Sequence, residues 1–215
     1  MKLRIRQSGA RAGFTLIEIL TVLVIIAILF AFVVGSVMQG DDVVKGENTR
    51  AFIAQLEATL SEYNIEFGDY PPSTFAEQDG IPNKINMGSE VLVTKLFSKD
   101  WSADVPEERL GNTDDDATKQ TITSFSKPDL FELVDDWGNP IVYLHRRDYA
   151  KGQVYATLDP STGEYYEETV KGYTNPKTGD PYNRRKYQLI SAGPDGRFGA
   201  IEGEPSDDIA NFKIE

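Results

Sequence analysis

The chain has 215 residues, 40% of them hydrophobic, with a net charge of −12, one histidine and no cysteine. That length holds a membrane segment plus one domain of about 150 residues, the usual size for a single hydrophobic core. Without cysteine there are no disulfides, thiolate metal sites or cysteine nucleophiles, and His145 alone is a poor basis for a Ser-His-Asp site or a zinc site of several imidazoles. In "YLHRRDY" it reads as a surface or strand histidine.

Charge divides the chain. Residues 1–13 carry Lys2, Arg4, Arg6 and Arg11 and no acid, whereas residues 40–215 carry 33 acids against 18 bases. An outer domain of that sign repels phosphate backbones, so no nucleic-acid partner is expected. Divalent cations suit it better.

Residues 14–38 form a 25-residue apolar run interrupted by Thr15, Glu18, Thr21, Gly35 and Ser36. A helix of about 20 apolar residues spans a bilayer, so the run is long enough. The basic leader before it and Asp41 and Asp42 after it place residues 1–13 in the cytoplasm and the bulk of the chain outside. Three readings compete: a single-pass anchor, a cleaved signal peptide, and a segment processed at its front edge. The run exceeds the roughly 7 to 15 residues of a signal-peptide core, and its best cleavage site, after Ser36, has Val34 at minus three. Glu18 is out of place in such a run, since an intramembrane acid points to a partner or a pathway unless it snorkels to the interface.

The stretch "GFTLIE", Gly13 to Glu18, resembles the class III signal of type IV pilins and of the pseudopilins of type II secretion. The resemblance implies cleavage between Gly13 and Phe14 by a prepilin peptidase and N-methylation of Phe14. It makes Glu18 the fifth residue of the mature chain, an assembly residue that pairs with the new amino group, in the family between neighbouring subunits. In a low-dielectric setting an unpaired amino cation is costly, which makes that pairing physically intelligible.

Phe52, Leu56, Leu60 and Tyr63 recur at helical spacing, with Ile53 and Ala54 beside them. One long helix is therefore predicted over about 15–67, its first half for lipid or filament neighbours and its second for its own domain; Gly46 weakens the join without forbidding it. Gly68 is a C-cap and Pro71 and Pro72 prevent continuation. "GDYPPS" resembles the Gly-x-Tyr-Pro that follows the long helix in major pseudopilins.

Residues 73–130 carry the weakest pattern: "SEVLVTKLFS" reads as a short helix, and Asp114 to Asp116 in "GNTDDDATKQ" as a solvated acidic loop. From Phe131 the period shortens. "PIVYLHRR", "GQVYATLD", "EYYEETV" and "RKYQLISAG" predict an antiparallel sheet, and "DPSTGEYY" and "NPKTGDPY" repeat one turn chemistry. The fold class is thus α+β, and the resemblance implies a pilin-like arrangement of the long helix on a small C-terminal sheet. The expected domains are a leader over 1–13, a transmembrane and assembly helix over 14–38, and a periplasmic globular domain over 39–215.

"DDWGNPIVY" resembles the segment that opens the sheet of major pseudopilins, with a structural role in which Trp137 buries a large area, Gly138 permits a tight turn and Pro140 begins an extended segment. In the tail "GPDGRFGAIEGEPSDD" the spaced aspartates do not fit an EF-hand, and by composition the stretch is either an acidic surface loop or a calcium loop. Its resemblance to the C-terminal loop of major pseudopilins implies structural calcium, with Asp195, Asp207 and Asp208 as ligands and Ser206, Glu202 and Glu204 as further candidates. Residues 73–130 and about 150–185 are longer than a typical major pseudopilin needs.

The expected function is a non-enzymatic pseudopilus subunit, anchored in the inner membrane and then polymerised through its N-terminal helix. Its implied partners are like and minor pseudopilins, the prepilin peptidase and the inner-membrane assembly platform. The alternatives are a type IV pilin, or a membrane-anchored binding protein that never polymerises; a carboxylate-based hydrolase has no motif behind it.

Overall fold

The computed structural model describes residues 15–76, 81–160, 162–200 and 205–215, apart from the side chains of 31–39. Its first helix, α1, is Leu16–Phe67. The chain divides into two compact units, Met1–Val43 and Val44–Glu215.

In the first unit, the start of α1 is fixed locally. The Thr15 amide and hydroxyl each donate to Glu18 Oε2 at 2.8 Å, and the Glu18 amide donates to Thr15 Oγ1 at 3.3 Å. This is a capping box, in which side chains satisfy amides that the first helical turn leaves without partners. The Thr21 hydroxyl is absorbed in the same way, donating to the Ile17 carbonyl at 2.8 Å. Beyond the cap, the apolar side chains are unpartnered: Leu16 is 84% exposed, and Leu23 and Phe30 are exposed as well. Among the described residues no helix is long and apolar enough to cross a membrane. The expected span over 14–38 extends beyond them, to Phe14 and to side chains past residue 30.

In the second unit, α1 turns one face inward. Phe52, Ile53, Leu56 and Leu60 are buried among Leu92, Leu96, Leu133, Tyr143, Leu189 and Ile209, whereas Ala54 stays exposed. Each fully buried leucine contributes about 1.5–3 kcal/mol. The helix runs through Gly46, where an added Cβ would sit 3.8 Å from the Trp137 ring. It ends where expected: Gly68 takes a φ of 81°, which costs glycine nothing, and its amide bonds to the Asn64 carbonyl at 2.9 Å.

After α1 come α2 (Met87–Leu96), a 3-10 turn (Glu107–Arg109), and strands β1 (Leu110–Gly111), β2 (Glu132–Leu133), β3 (Val142–His145), β4 (Gln153–Leu158), β5 (Tyr165–Val170), β6 (Tyr187–Ser191) and β7 (Ile209–Ala210). Among the described residues all pairs of these strands are antiparallel, but they form three small sheets rather than one: β1-β2, β3-β6-β7 and the β4-β5 hairpin. Helix α2 explains part of the division. A Cβ on Gly88 would lie only 2.1 Å from the Tyr143 carbonyl and 2.4 Å from the Tyr155 hydroxyl, so the helix backbone presses against β3 and β4 side by side. Where a ladder would join those strands, the Tyr143 amide donates to the Tyr155 hydroxyl instead, at 3.1 Å.

Strands β3 and β6 are buried on both faces, which is why they read as nearly continuous apolar runs. Tyr143 and Leu189 face the core that holds α1, and Val142, Leu144 and Ile190 face a second core with Tyr149, Tyr155 and Val170. The two similar turns share their geometry: Gly163 donates to the Asp159 carbonyl and Gly179 to the Asn175 carbonyl, both at 2.8 Å and both with φ near the left-handed region. Only the first closes a hairpin between strands; the second is held by the bridge from Thr174 to Pro181.

Candidate functional site

Of the processing residues, Gly13 and Phe14 lie outside the described residues. Glu18 is exposed in the first turn of α1, with both of its accepted bonds on Oε2, so the Oε1 lone pairs are not used by the cap. Sequence reasoning weighed membrane snorkelling and pairing with an amino group but passed over the capping box, although Thr-x-x-Glu is its written signature.

The "DDWGNP" segment is structural, but its weight falls on a different residue than expected. Trp137 is only partly buried. Asp135 is 3% exposed and accepts from the Trp137 amide at 3.0 Å, the Asn139 amide at 2.9 Å and the Ser191 hydroxyl at 2.6 Å. It thereby ties the tight turn at Gly138 to β6. Burial pushes this carboxyl up to about 6 despite those bonds.

The tail closes on glycines. Gly193 and Gly196 both have φ of 68°, and a Cβ on Gly193 would sit 2.7 Å from the Asp207 carbonyl, so the "GPDG" turn packs directly on the returning strand. This brings Asp195 and Asp207 together, with the Asp195 amide donating to Asp207 Oδ2 at 3.3 Å. Asp208 uses Oδ2 to accept from the Tyr173 hydroxyl at 2.7 Å, the Gly199 amide at 2.8 Å and the Ser206 hydroxyl at 2.7 Å. Asp207 Oδ1 and Asp208 Oδ1 are both buried without a partner. Burial, then the neighbouring Asp195 charge, pushes Asp207 up to about 6, and burial raises Asp208. Two buried, unpartnered carboxylate oxygens are of the type a hard cation takes, but Asp195, Asp207 and Asp208 are not gathered as three carboxylates within 4.8 Å of one another. Glu202 and Glu204 lie outside the described residues, and Ser206 is engaged with Asp208.

A second acidic group lies elsewhere. Glu90 in α2, Asp114 in the loop before β2, and Glu132 in β2 each bring a carboxylate oxygen within 4.8 Å of the others. Asp116 joins them, 8% exposed, and Asp114 is half-buried, whereas Asp115 faces solvent, so only part of the stretch is the solvated loop its composition suggests. Burial first, and then the charges of Asp116, Asp114 and Glu132, pushes Glu90 up to about 10; burial pushes Glu132 up to about 8 and, with Asp114, Asp116 up to about 7. Sequence spacing gave no hint of this group, because it is assembled from three segments by the fold.

His145 is buried at the end of β3, as a strand residue. Its Nε2 lies 3.6 Å from Asp69, and burial followed by the Arg146 charge lowers its pKa, which favours the neutral imidazole. Asp69 itself is held down to about 2, chiefly by hydrogen bonds from Arg146.

A capped, exposed apolar helix at the start of the chain, followed by an α-helical and antiparallel domain, defines the pilin-like class. Residues 9–34 match the model of the prokaryotic N-terminal methylation motif. Over 142 residues, 64% of this chain and 76% of the relative, the sequence is 31% identical to the type II secretion system core protein G of Pseudomonas aeruginosa. The chain belongs to the type II secretion core protein G family of pseudopilins. No solved structure matches it significantly.

Proposed function

We propose that this chain is a pseudopilus subunit that assembles through α1 to promote protein export across the outer membrane. On this reading prepilin peptidase cuts between Gly13 and Phe14 and methylates Phe14, and the subunit waits in the inner membrane as a single-pass protein, N-terminus inside and domain in the periplasm. It then enters a filament with like and minor pseudopilins on the inner-membrane platform. No chemical step is asked of the chain itself. The observation that carries the reading is the surface of α1 over residues 16–30: every side chain there is exposed, nearly all are apolar, and the single carboxylate is Glu18. So much exposed apolar area demands lipid or neighbouring subunits.

The cap refines the role of Glu18. Oε2 is committed to Thr15 in its own subunit, which leaves Oε1 for an amino group on the mature N-terminus of the next. Replacing Glu18 with Ala is expected to leave insertion and cleavage intact and to abolish filaments seen by shearing or electron microscopy. Normal filaments from E18A would refute the assembly role.

The tail loop is proposed as a structural calcium site held by Asp195, Asp207 and Asp208. The unpartnered Oδ1 atoms of Asp207 and Asp208 support it.

A further inference from the structure

We propose that Glu90, Asp114 and Glu132, with Asp116 beside them, form a second calcium site that clamps α2 to the loop and strand that follow it. The three carboxylates each offer an oxygen within 4.8 Å of the others, and Glu90 and Glu132 are 1% and 0% exposed. Independently of that clustering, Glu90 Oε1, Asp114 Oδ1 and Asp116 Oδ1 are buried and have no hydrogen-bond partner. Buried polar atoms are almost always paired, so three orphan acceptors in one place indicate a missing donor or cation. Among the described residues no lysine, arginine or histidine forms an ion pair with any of the four acids.

The surroundings orient these oxygens. The Asn83 amide donates to Oδ2 of both Asp114 and Asp116 at 2.9 Å, leaving each Oδ1 free. Glu132 is held on one oxygen by the Asn86 amide at 3.1 Å and on the other by the Thr113 backbone amide at 3.0 Å. Asn86, in turn, begins α2 in the left-handed conformation, with φ of 54°. Side-chain amides and backbone N–H groups thus hold the carboxylates in place, the usual function of a shell around metal ligands.

The ion follows from the donor set. All the ligands are oxygens, with no imidazole or thiolate, which selects a hard cation over zinc or copper. Magnesium holds several of its waters and demands near-octahedral geometry, and this enclosure is nearly closed to solvent at Glu90, Asp116 and Glu132. Calcium accepts a crowded, irregular shell of carboxylates. The rival account is protons: Glu90 and Asp116 face each other closely enough to share one.

Calcium uptake by the full-length chain in detergent, measured by equilibrium dialysis, separates the accounts. The wild-type chain is expected to bind two ions. A D207N/D208N chain, with the tail disabled, retains one, and adding E90Q weakens that remaining site about tenfold or more. The wild-type chain binding a single ion that is lost in D207N/D208N overturns the proposal, without any substitution near Glu90. Unchanged calcium affinity on adding E90Q also overturns it. Saturation by magnesium in place of calcium overturns the assignment of the ion. A single ion unaffected by D207N/D208N but lost with E90Q upholds this site and refutes the one in the tail.

Discussion

Asp135 holds three donors at once, and a smaller side chain would orphan them inside the protein. Asp135→Ala is therefore expected to cost about 2–4 kcal/mol in denaturant unfolding, and Asp135→Asn, which keeps one acceptor, distinctly less. A cost for D135A below that of an ordinary surface substitution would refute the role. Asp69 illustrates the opposite sign of a carboxylate shift. Its folded pKa of about 2 lies below the ordinary value, so its contribution is full above about pH 4 and is lost as pH falls toward 2. Asp69→Asn should lower stability at pH 7 and flatten the acid limb of the stability profile between pH 4 and 2; an acid limb identical to that of wild type would contradict this. Residue-level roles were only partly legible in the sequence. Glu18 stands out as an acid in an apolar run, and the spaced aspartates of the tail stand out by composition. Glu90 does not, because one acid in "SEVLVTKL" looks like the polar face of a helix until folding brings Asp114 and Glu132 to it. Trp137 misled for the reverse reason: a large aromatic promises burial, but the turn is held by the aspartate beside it.

At the scale of elements, the clearest signals were those with a long period and firm punctuation. Helix α1 repeats its apolar face over many turns and meets Gly68 and two prolines, so both its existence and its end could be read. Leu56→Ala, at the centre of that face, is expected to cost about 2–5 kcal/mol in thermal or denaturant unfolding. Strands β3 to β6 were visible through their Val, Ile and Tyr content, and the β4-β5 hairpin through its turn. Strands β1, β2 and β7 are two residues each, too short to carry a pattern. The division into three sheets was equally hidden, because it depends on α2 approaching β3 and β4 at Gly88. Gly88→Ala should thus displace α2 and destabilise by about 1–3 kcal/mol or more, with loss of near-ultraviolet signal from Tyr143 and Tyr155. An alanine variant as stable as wild type would show that the contact gives way freely.

For the whole molecule, charge and cation binding belong together. A domain with so many acids repels itself, and burying several of them without basic partners is costly; cations at the two proposed sites would relieve that cost. Chelation is expected to lower the thermal midpoint of the full chain and millimolar calcium to restore it, since a ligand bound only by the folded state stabilises that state. No shift between the two conditions would remove both cation sites from the account. Family membership fixes the class of machine, and entry through the exposed start of α1 is the proposed route into it. Intact-mass analysis of the chain purified from membranes of cells that contain a prepilin peptidase is the most direct test. The account predicts a mature chain that begins at Phe14 and carries one N-terminal methyl group. A chain that keeps residues 1–13 under those conditions would contradict its assignment as a processed filament subunit.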